Sequence, residues 1–247
     1  MTAGEYLAVL AAGGVAGMVN TIVGSGSLVT FPTLLAVGYP SVTANVSNTV
    51  GLVFGGVSGV IGYRRELEGQ KRRAAGFACC TAVGALTGGI LLLTLPTSVF
   101  DAAVPLLILF ACGLMAFKGR LTPTHPHGSQ GRLVPAGISA FFTGIYGGYF
   151  GAAQGIILMS LLRFCFPDDL QRLNALKNVL ALVANAVAAL LFVFAAHVAW
   201  EAAATIAVGS TLGAQLGATV GRRIPDEGLR WTVVVGGTTV AIILLVT

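Results

Sequence analysis

Charge is what this sequence has least of. Of its 247 residues, 9% are Asp, Glu, Lys or Arg, against about 25% in a soluble globular domain. With 55% hydrophobic residues and a mean hydropathy of +0.88, this excludes a soluble domain and reads as a polytopic, all-α membrane protein. Cysteine is scarce. Cys79, Cys80, Cys112 and Cys165 fall in or beside apolar stretches, without metal-ligand spacing or a disulfide framework, and read as small packing residues. His125, His127 and His197 form no cluster with carboxylates, so neither metal nor cofactor is called for. No carboxylate lies mid-span: Glu5, Asp101 and Glu201 sit at segment boundaries. That argues against a buried carboxylate proton relay or a carboxylate-built sodium site. A Walker-type phosphate loop is missing, which argues against direct drive by ATP. The N-terminus has no basic n-region, and no cleavable signal peptide is expected.

What is present is a series of apolar segments of membrane-spanning length, about 17–25 residues. Tyr6–Val23 just spans. Leu28–Val37 is too short and reads as a half-helix. Val42–Tyr63, Ala74–Leu95 and Val99–Phe117 each span. Lys118–Arg132, with Pro123, Pro126, Gly128 and Gly131, is the one stretch that reads as a linker. The pattern then restarts with Leu133–Phe150, a break at 151–154, a half-helix at Gly155–Phe166, and spans at Asn178–Ala196, Ala202–Gly221 and Trp231–Thr247. Gly17 and Gly24 recur 127 positions later as Gly144 and Gly151, and Asn48 recurs 130 positions later as Asn178. Gly84, Ala85 and Gly88 recur 129 positions later as Gly213, Ala214 and Gly217, as does Pro96 as Pro225. The shared order implies two repeats, residues 1–117 and 133–247, joined by a cytoplasmic linker at 118–132. Internal repeats in a membrane protein point to a transporter.

The basic residues orient the chain. They concentrate between Tyr63 and Ala74, in the linker, between the second half-helix and Asn178, and between Gly221 and Trp231. The positive-inside rule places these loops in the cytoplasm and both termini outside. The two halves are then inverted, each a re-entrant helix pair followed by three spans. This works only if Tyr6–Val23 and Leu28–Val37 form a hairpin rather than one bent span.

The stretch Val19–Pro32, "VNTIVGSGSLVTFP", interrupts an apolar run with Gly24, Ser25, Gly26 and Ser27. Backbone groups freed by such a break need partners other than lipid. In the hairpin reading this tip lies deep in the protein and meets the second tip near the midplane. Each tip precedes a half-helix whose N-terminus offers unpaired N–H groups and the positive end of the dipole, a ready anion site. Ser25 or Ser27 is expected to cap the first half-helix. Asn20, Asn45, Asn48, Gln154, Asn178 and Asn185 add amide donors, with Asn174 close by. Lys177 is the lone basic residue inside the membrane boundary; it either contacts the anion or snorkels to the interface. Asn48 and Asn178 alternatively serve as interhelical hydrogen bonds. The rows Gly51, Gly55, Gly59 and Gly209, Gly213, Gly217, Gly221 read as helix packing.

The stretches Ala16–Pro32, Ala44–Val50, Gly144–Ile156, Leu173–Asn185 and Gly213–Pro225 together resemble the TauE/SafE sulfite exporter family, also called the toluene sulfonate uptake permease family. The resemblance covers nearly the whole chain. It implies an inner-membrane transporter of small sulfur-containing or carboxylated anions such as sulfite, sulfoacetate or sulfonates, in either direction. Asn20 and Gly24–Ser27 match the first family motif, and Lys177 and Asn178 the second-half one. The second tip reads Ala152-Ala153-Gln154 where family members often carry glycine and threonine. The partners implied are a small anion, the bilayer and a coupling ion, proton or other; a homodimer is compatible and nucleic acid is not. The alternatives are a passive anion channel, an exporter of another five-plus-five-helix family, or an intramembrane hydrolase using Ser25. The hydrolase needs a base within hydrogen-bond reach, for which His197 is the sole candidate.

Overall fold

The computed structural model describes residues 1–117 and 132–220, together with 234, 235, 238, 239, 241 and 242. The linker at 118–131, the basic residues Arg222, Arg223 and Arg230, the positions Gly221 and Pro225, and most of Trp231–Thr247 lie outside the described residues. The described chain is helical, without a strand: α1 Ala3–Ile22, α2 Ser27–Ala36, α3 Ser41–Gly62, α4 Lys71–Thr94, α5 Thr97–Ala116, α6 Leu133–Tyr149, α7 Gln154–Cys165, α8 Leu170–Ala195 and α9 Trp200–Val220. Among the described residues, α1, α3, α4, α5 and α8 are long and apolar enough to cross a membrane, and α2 and α7 are apolar but short.

Most boundaries fall within three residues of those read from hydropathy. The exception is α8, which starts at Leu170, eight residues before the expected Asn178. Asp169 is its N-cap, and its carboxylate accepts from the Gln171 N–H at 2.9 Å. The first turns carry Gln171, Arg172, Asn174 and Lys177, so a hydropathy reading sees the helix only where it becomes apolar. At α1, Thr2 and Glu5 form a reciprocal capping box, the Thr2 N–H donating to Glu5 at 2.7 Å.

Contacts at the helix ends divide the molecule into an acidic and a basic end. At the acidic end the Met1 ammonium lies 3.7 Å from Glu201, whose carboxylate also accepts from the Tyr6 hydroxyl at 2.7 Å. Ser41, opening α3, bonds Asp101 near the start of α5. Tyr39, just past α2, belongs to the same end: burial pushes its phenol up, and the carboxylates of Glu201 and Glu5 add to the shift. The chain folds back at the break, where a Cβ on Gly26 would stand 2.2 Å from Ala16 O, so α2 packs against α1 as a hairpin rather than continuing it as one bent span. At the basic end the Arg132 N–H donates to Cys165 O at 2.9 Å, closing α6 and α7 into a second hairpin. Arg73 pairs with Asp168 at 2.5 Å and stacks over Phe166, while Arg172 donates to Glu68 O at 3.2 Å. Each of α3, α4 and α8 runs from one end to the other. The Arg73–Asp168 pair is partly exposed, and Arg73→Gln is expected to cost no more than about 1 kcal/mol. Thermal unfolding at low and high salt checks this: a large, salt-independent loss would contradict it.

α9 packs between α1 and α3, while α4 packs against α6 and α8. Backbone lies on backbone at these seams. A Cβ on Gly213 would stand 1.8 Å from Gly14 O, and one on Gly88 would stand 2.0 Å from Ile145 O. In α3 a Cβ on Gly51 would stand 2.7 Å from Ala203 O, so the glycine rows of α3 and α9 are packing surfaces as far as they are described, the small-residue device of helices in lipid. Gly213→Ala is expected to wedge α1 from α9 and destabilise by on the order of 2 kcal/mol. An unchanged unfolding temperature in detergent would show that the seam yields without cost.

Candidate functional site: a cavity where two helix breaks meet

The two breaks touch. The Gly155 N–H donates to Gly24 O at 2.9 Å, and a Cβ built on either glycine would fall 2.4 Å from the other's Cα. Gly24 holds φ +92° and Gly151 φ +75°, the left-handed region that glycine adopts without strain. Ala153 adopts φ 58° as the N-cap of α7. The Tyr146 hydroxyl donates to Ala152 O at 2.6 Å, and Phe31 and Phe150 pack edge to face at 5.2 Å. These contacts brace both tips from behind.

The expected serine cap is not formed: neither Ser25 nor Ser27 caps α2. Its N-cap is Gly26, whose N–H donates to Asn20 Oδ1 at 2.7 Å. Asn20 stands in the last turn of α1 and its longer side chain spans the break, which a serine hydroxyl cannot. The N-terminal N–H groups are also less open than the sequence suggests, because that of Gly155 is spent on Gly24.

Beside the tips lies a cavity of about 30 Å³, room for one or two waters. Its wall includes Asn20, Gly24 and Ser27 of the first hairpin, Gln154 of the second, and Asn178 and Asn185 of α8. Hydrogen bonding behind the wall sets what it presents. Asn20 Oδ1 is held by Gly26, which leaves its Nδ2 as the free end of the amide. Ser27 Oγ accepts from Asn48 Nδ2 at 3.3 Å, so its own hydrogen points elsewhere. Gln154 is buried, and its Nε2 has no hydrogen-bond partner in the protein. Among the described residues the wall holds no carboxylate and no cationic side chain. It is a neutral polar surface, in which Asn20, Ser27 and Gln154 keep donors not spent on the protein.

The remaining predicted residues stand off the wall. Ser25 and Gly26 are buried in the first tip. Asn48 lies one layer behind, joining α3 to Ser27 and Thr30 of α2. Asn45 donates to Tyr149 O at 3.0 Å, at the end of α6. Lys177 neither snorkels nor lines the cavity. It is fully buried, and its Nζ donates to Asn20 O at 3.1 Å and Thr21 O at 3.5 Å. Asn174 and Asn178 donate to the same Thr21 carbonyl at 3.1 and 3.3 Å. Three side chains of α8 thus serve the last carbonyls of α1, where the dipole is negative and the backbone would otherwise be unpaired.

Sequence reasoning passed over Thr21 and Gly147 and counted Asn174 only as an amide near the tips. A signal for Asn174 existed. The spacing of 129 that relates Gly84 to Gly213 also relates Asn45 to Asn174, and their contacts match, Asn45 on the end of α6 and Asn174 on the end of α1. Asn48 and Asn178, paired in the sequence reading, make unlike contacts. Asn48→Ala removes two buried bonds between α2 and α3 and is expected to destabilise by about 1–2 kcal/mol. Denaturation in detergent measures this, and a loss below experimental error would show that the bonds are replaced.

The hydrolase reading finds no geometry. Ser25 is buried at the tip. His197 is exposed beyond the end of α8 at Ala195, which itself lies roughly 25 Å along the helix axis from Asn178 at 1.5 Å per residue.

The sequence matches the family model "Sulfite exporter TauE/SafE" over residues 9–244. A "Probable membrane transporter protein" of Haemophilus influenzae is 28% identical over 216 residues, covering 87% of this chain and 84% of that protein. "Probable membrane transporter protein YfcA" of Escherichia coli K12 is 27% identical, covering 82% and 75%. "Probable membrane transporter protein ORF9" of a Sinorhizobium species is 25% identical, covering 82% and 78%. The match spans both hairpins, both breaks and the α8 residues that serve them, and the chain is a multi-pass membrane protein of the TauE/SafE family.

Proposed function

We propose that this protein is a secondary transporter of a small sulfur-containing anion, a sulfonate, sulfoacetate or sulfite, in the inner membrane. Its basic end faces the cytoplasm and both termini lie outside. The two halves act as inverted repeats that rock about the touching tips, exposing the cavity first to one side and then to the other. The observation that carries this reading is the cavity wall, where amide and hydroxyl donors converge without a carboxylate between two helix N-termini. The Asn20 and Gln154 amide N–H groups and the Ser27 hydroxyl, none of them spent on a protein acceptor, favour an anion, while a cation would meet only neutral oxygens and no carboxylate. The small volume favours a gated carrier over an open channel, since the tips must part before an anion enters. The family's name and the relatives' description as transporters agree with it.

Thermal stabilisation of the purified protein by sulfite, sulfate, sulfoacetate, taurine, an aryl sulfonate, acetate and chloride tests the substrate class. Uptake into proteoliposomes with and without an imposed ion gradient tests coupling. Selective stabilisation by one sulfur anion with gradient-dependent flux is the expected result. A folded protein stabilised by none of them would remove the anion assignment, and gradient-independent flux would favour a channel.

A further inference from the structure

We infer that Gln154 is the specificity-determining residue of the cavity, holding one oxygen of an oxyanion through its amide N–H groups. This rests on the reading of the cavity as an anion site. Gln154 is the first residue of α7, a helix of 12 residues, so the positive end of the helix dipole lies behind its side chain. The residue is 3% exposed, and its Nε2 is enclosed without an acceptor in the protein. A buried donor left in this way is unfavourable, and it gains an acceptor when the tips part and an anion enters the cavity that Gln154 lines.

The amide is placed there by a second residue. A Cβ on Gly147 would stand 2.4 Å from both Cδ and Nε2 of Gln154 and 2.5 Å from Oε1. Gly147, in the last turn of α6, is the bare backbone against which the amide lies. Any larger residue displaces the amide rather than the backbone, because the obstructing atoms are the end of a flexible side chain. An amide N–H donates along a fixed direction, which suits the directed lone pairs of a sulfonate or carboxylate oxygen more than a spherical halide. Gln154 therefore selects oxyanions over chloride, and Gly147 is its positioning residue.

The test is anion binding to the purified full-length protein by calorimetry between pH 5 and 8, using methanesulfonate, sulfite, acetate and chloride. Each variant is compared with wild type as a ratio of affinities at each pH. Gln154→Glu is expected to lose about tenfold or more for oxyanions at pH 7.5, since a carboxylate has no donor and repels the anion. The ratio recovers as pH falls, because a buried carboxyl protonates above its usual range and then donates. Gly147→Ala is expected to lose oxyanion affinity to a similar degree with no pH-dependent recovery. Chloride affinity, where wild type shows any, changes less than the oxyanion affinity in Gly147→Ala. Folding of each variant is checked by gel filtration and thermal unfolding. Wild-type oxyanion affinity in folded Gln154→Glu at pH 7.5 would overturn the assignment, as would an equal, pH-independent loss for all anions. A wild-type protein that binds none of the three oxyanions would overturn the anion reading itself, and the role of Gln154 with it.

Discussion

Gly155→Ala is expected to reduce transport at least tenfold in proteoliposomes at matched protein content. The new Cβ would stand 2.4 Å from Gly24 Cα and 2.9 Å from Gly24 O. Both obstacles are backbone, so no rotamer change relieves them. The tips must separate by about 1 Å, a degree of overpacking that costs roughly 1–3 kcal/mol. Separation stretches the 2.9 Å bond from the Gly155 N–H to Gly24 O and moves Ser27 and Gln154 on either side of the cavity. Gly4→Ala is the control, because nothing lies within 4 Å of a Cβ there. The outcome that sinks the prediction is Gly155→Ala, folded and at matched protein content, transporting like wild type.

Lys177→Met is expected to lower the unfolding temperature and transport together. Methionine preserves much of the volume and removes the ammonium. Asn20 O and Thr21 O then lose a charged donor at the negative end of α1. A cation in a favourable, partly buried helix C-terminal site contributes up to about 2 kcal/mol. Removing the desolvation cost of the buried charge offsets part of this, so the fall in stability is modest, about 1–2 kcal/mol. The transport defect, roughly tenfold, follows because Asn20 carries the Gly26 N–H on one side and lines the cavity on the other. The coupling of the two effects is the diagnostic. If Lys177 bound the anion directly, Lys177→Met would abolish transport with stability intact. Neither effect appearing would leave the three-residue cap without weight.

Much of the architecture is legible in local sequence. The apolar runs mark the helices to within a few residues, because burial in lipid and backbone hydrogen bonding both act along a contiguous segment. Gly24–Ser27 and Gly151–Gln154 mark the breaks, because glycine relieves the positive φ that a reversal demands. Arg64, Arg65, Lys71, Arg72, Arg73 and Arg172 foretell the basic end, where Arg73 meets Asp168 and Arg172 meets Glu68. The start of α8 is missed for a local reason as well: its first turns are polar, and Asp169 rather than hydropathy begins the helix.

The site is another matter. That Asn20, and not a serine, accepts from Gly26, the N-cap of α2, depends on the angle at which α1 and α2 meet. That Lys177 serves the carbonyls of Asn20 and Thr21 depends on contacts across 157 and 156 positions. Gln154 becomes an unpaired donor only because Gly147 and the opposing hairpin enclose it. Composition and charge by themselves determined a membrane protein with two broken helices and a basic end. Tertiary structure decided which polar groups are spent within the protein and which are left facing the cavity, because hydrogen bonds are short and directional and join residues that hydropathy along the chain cannot relate.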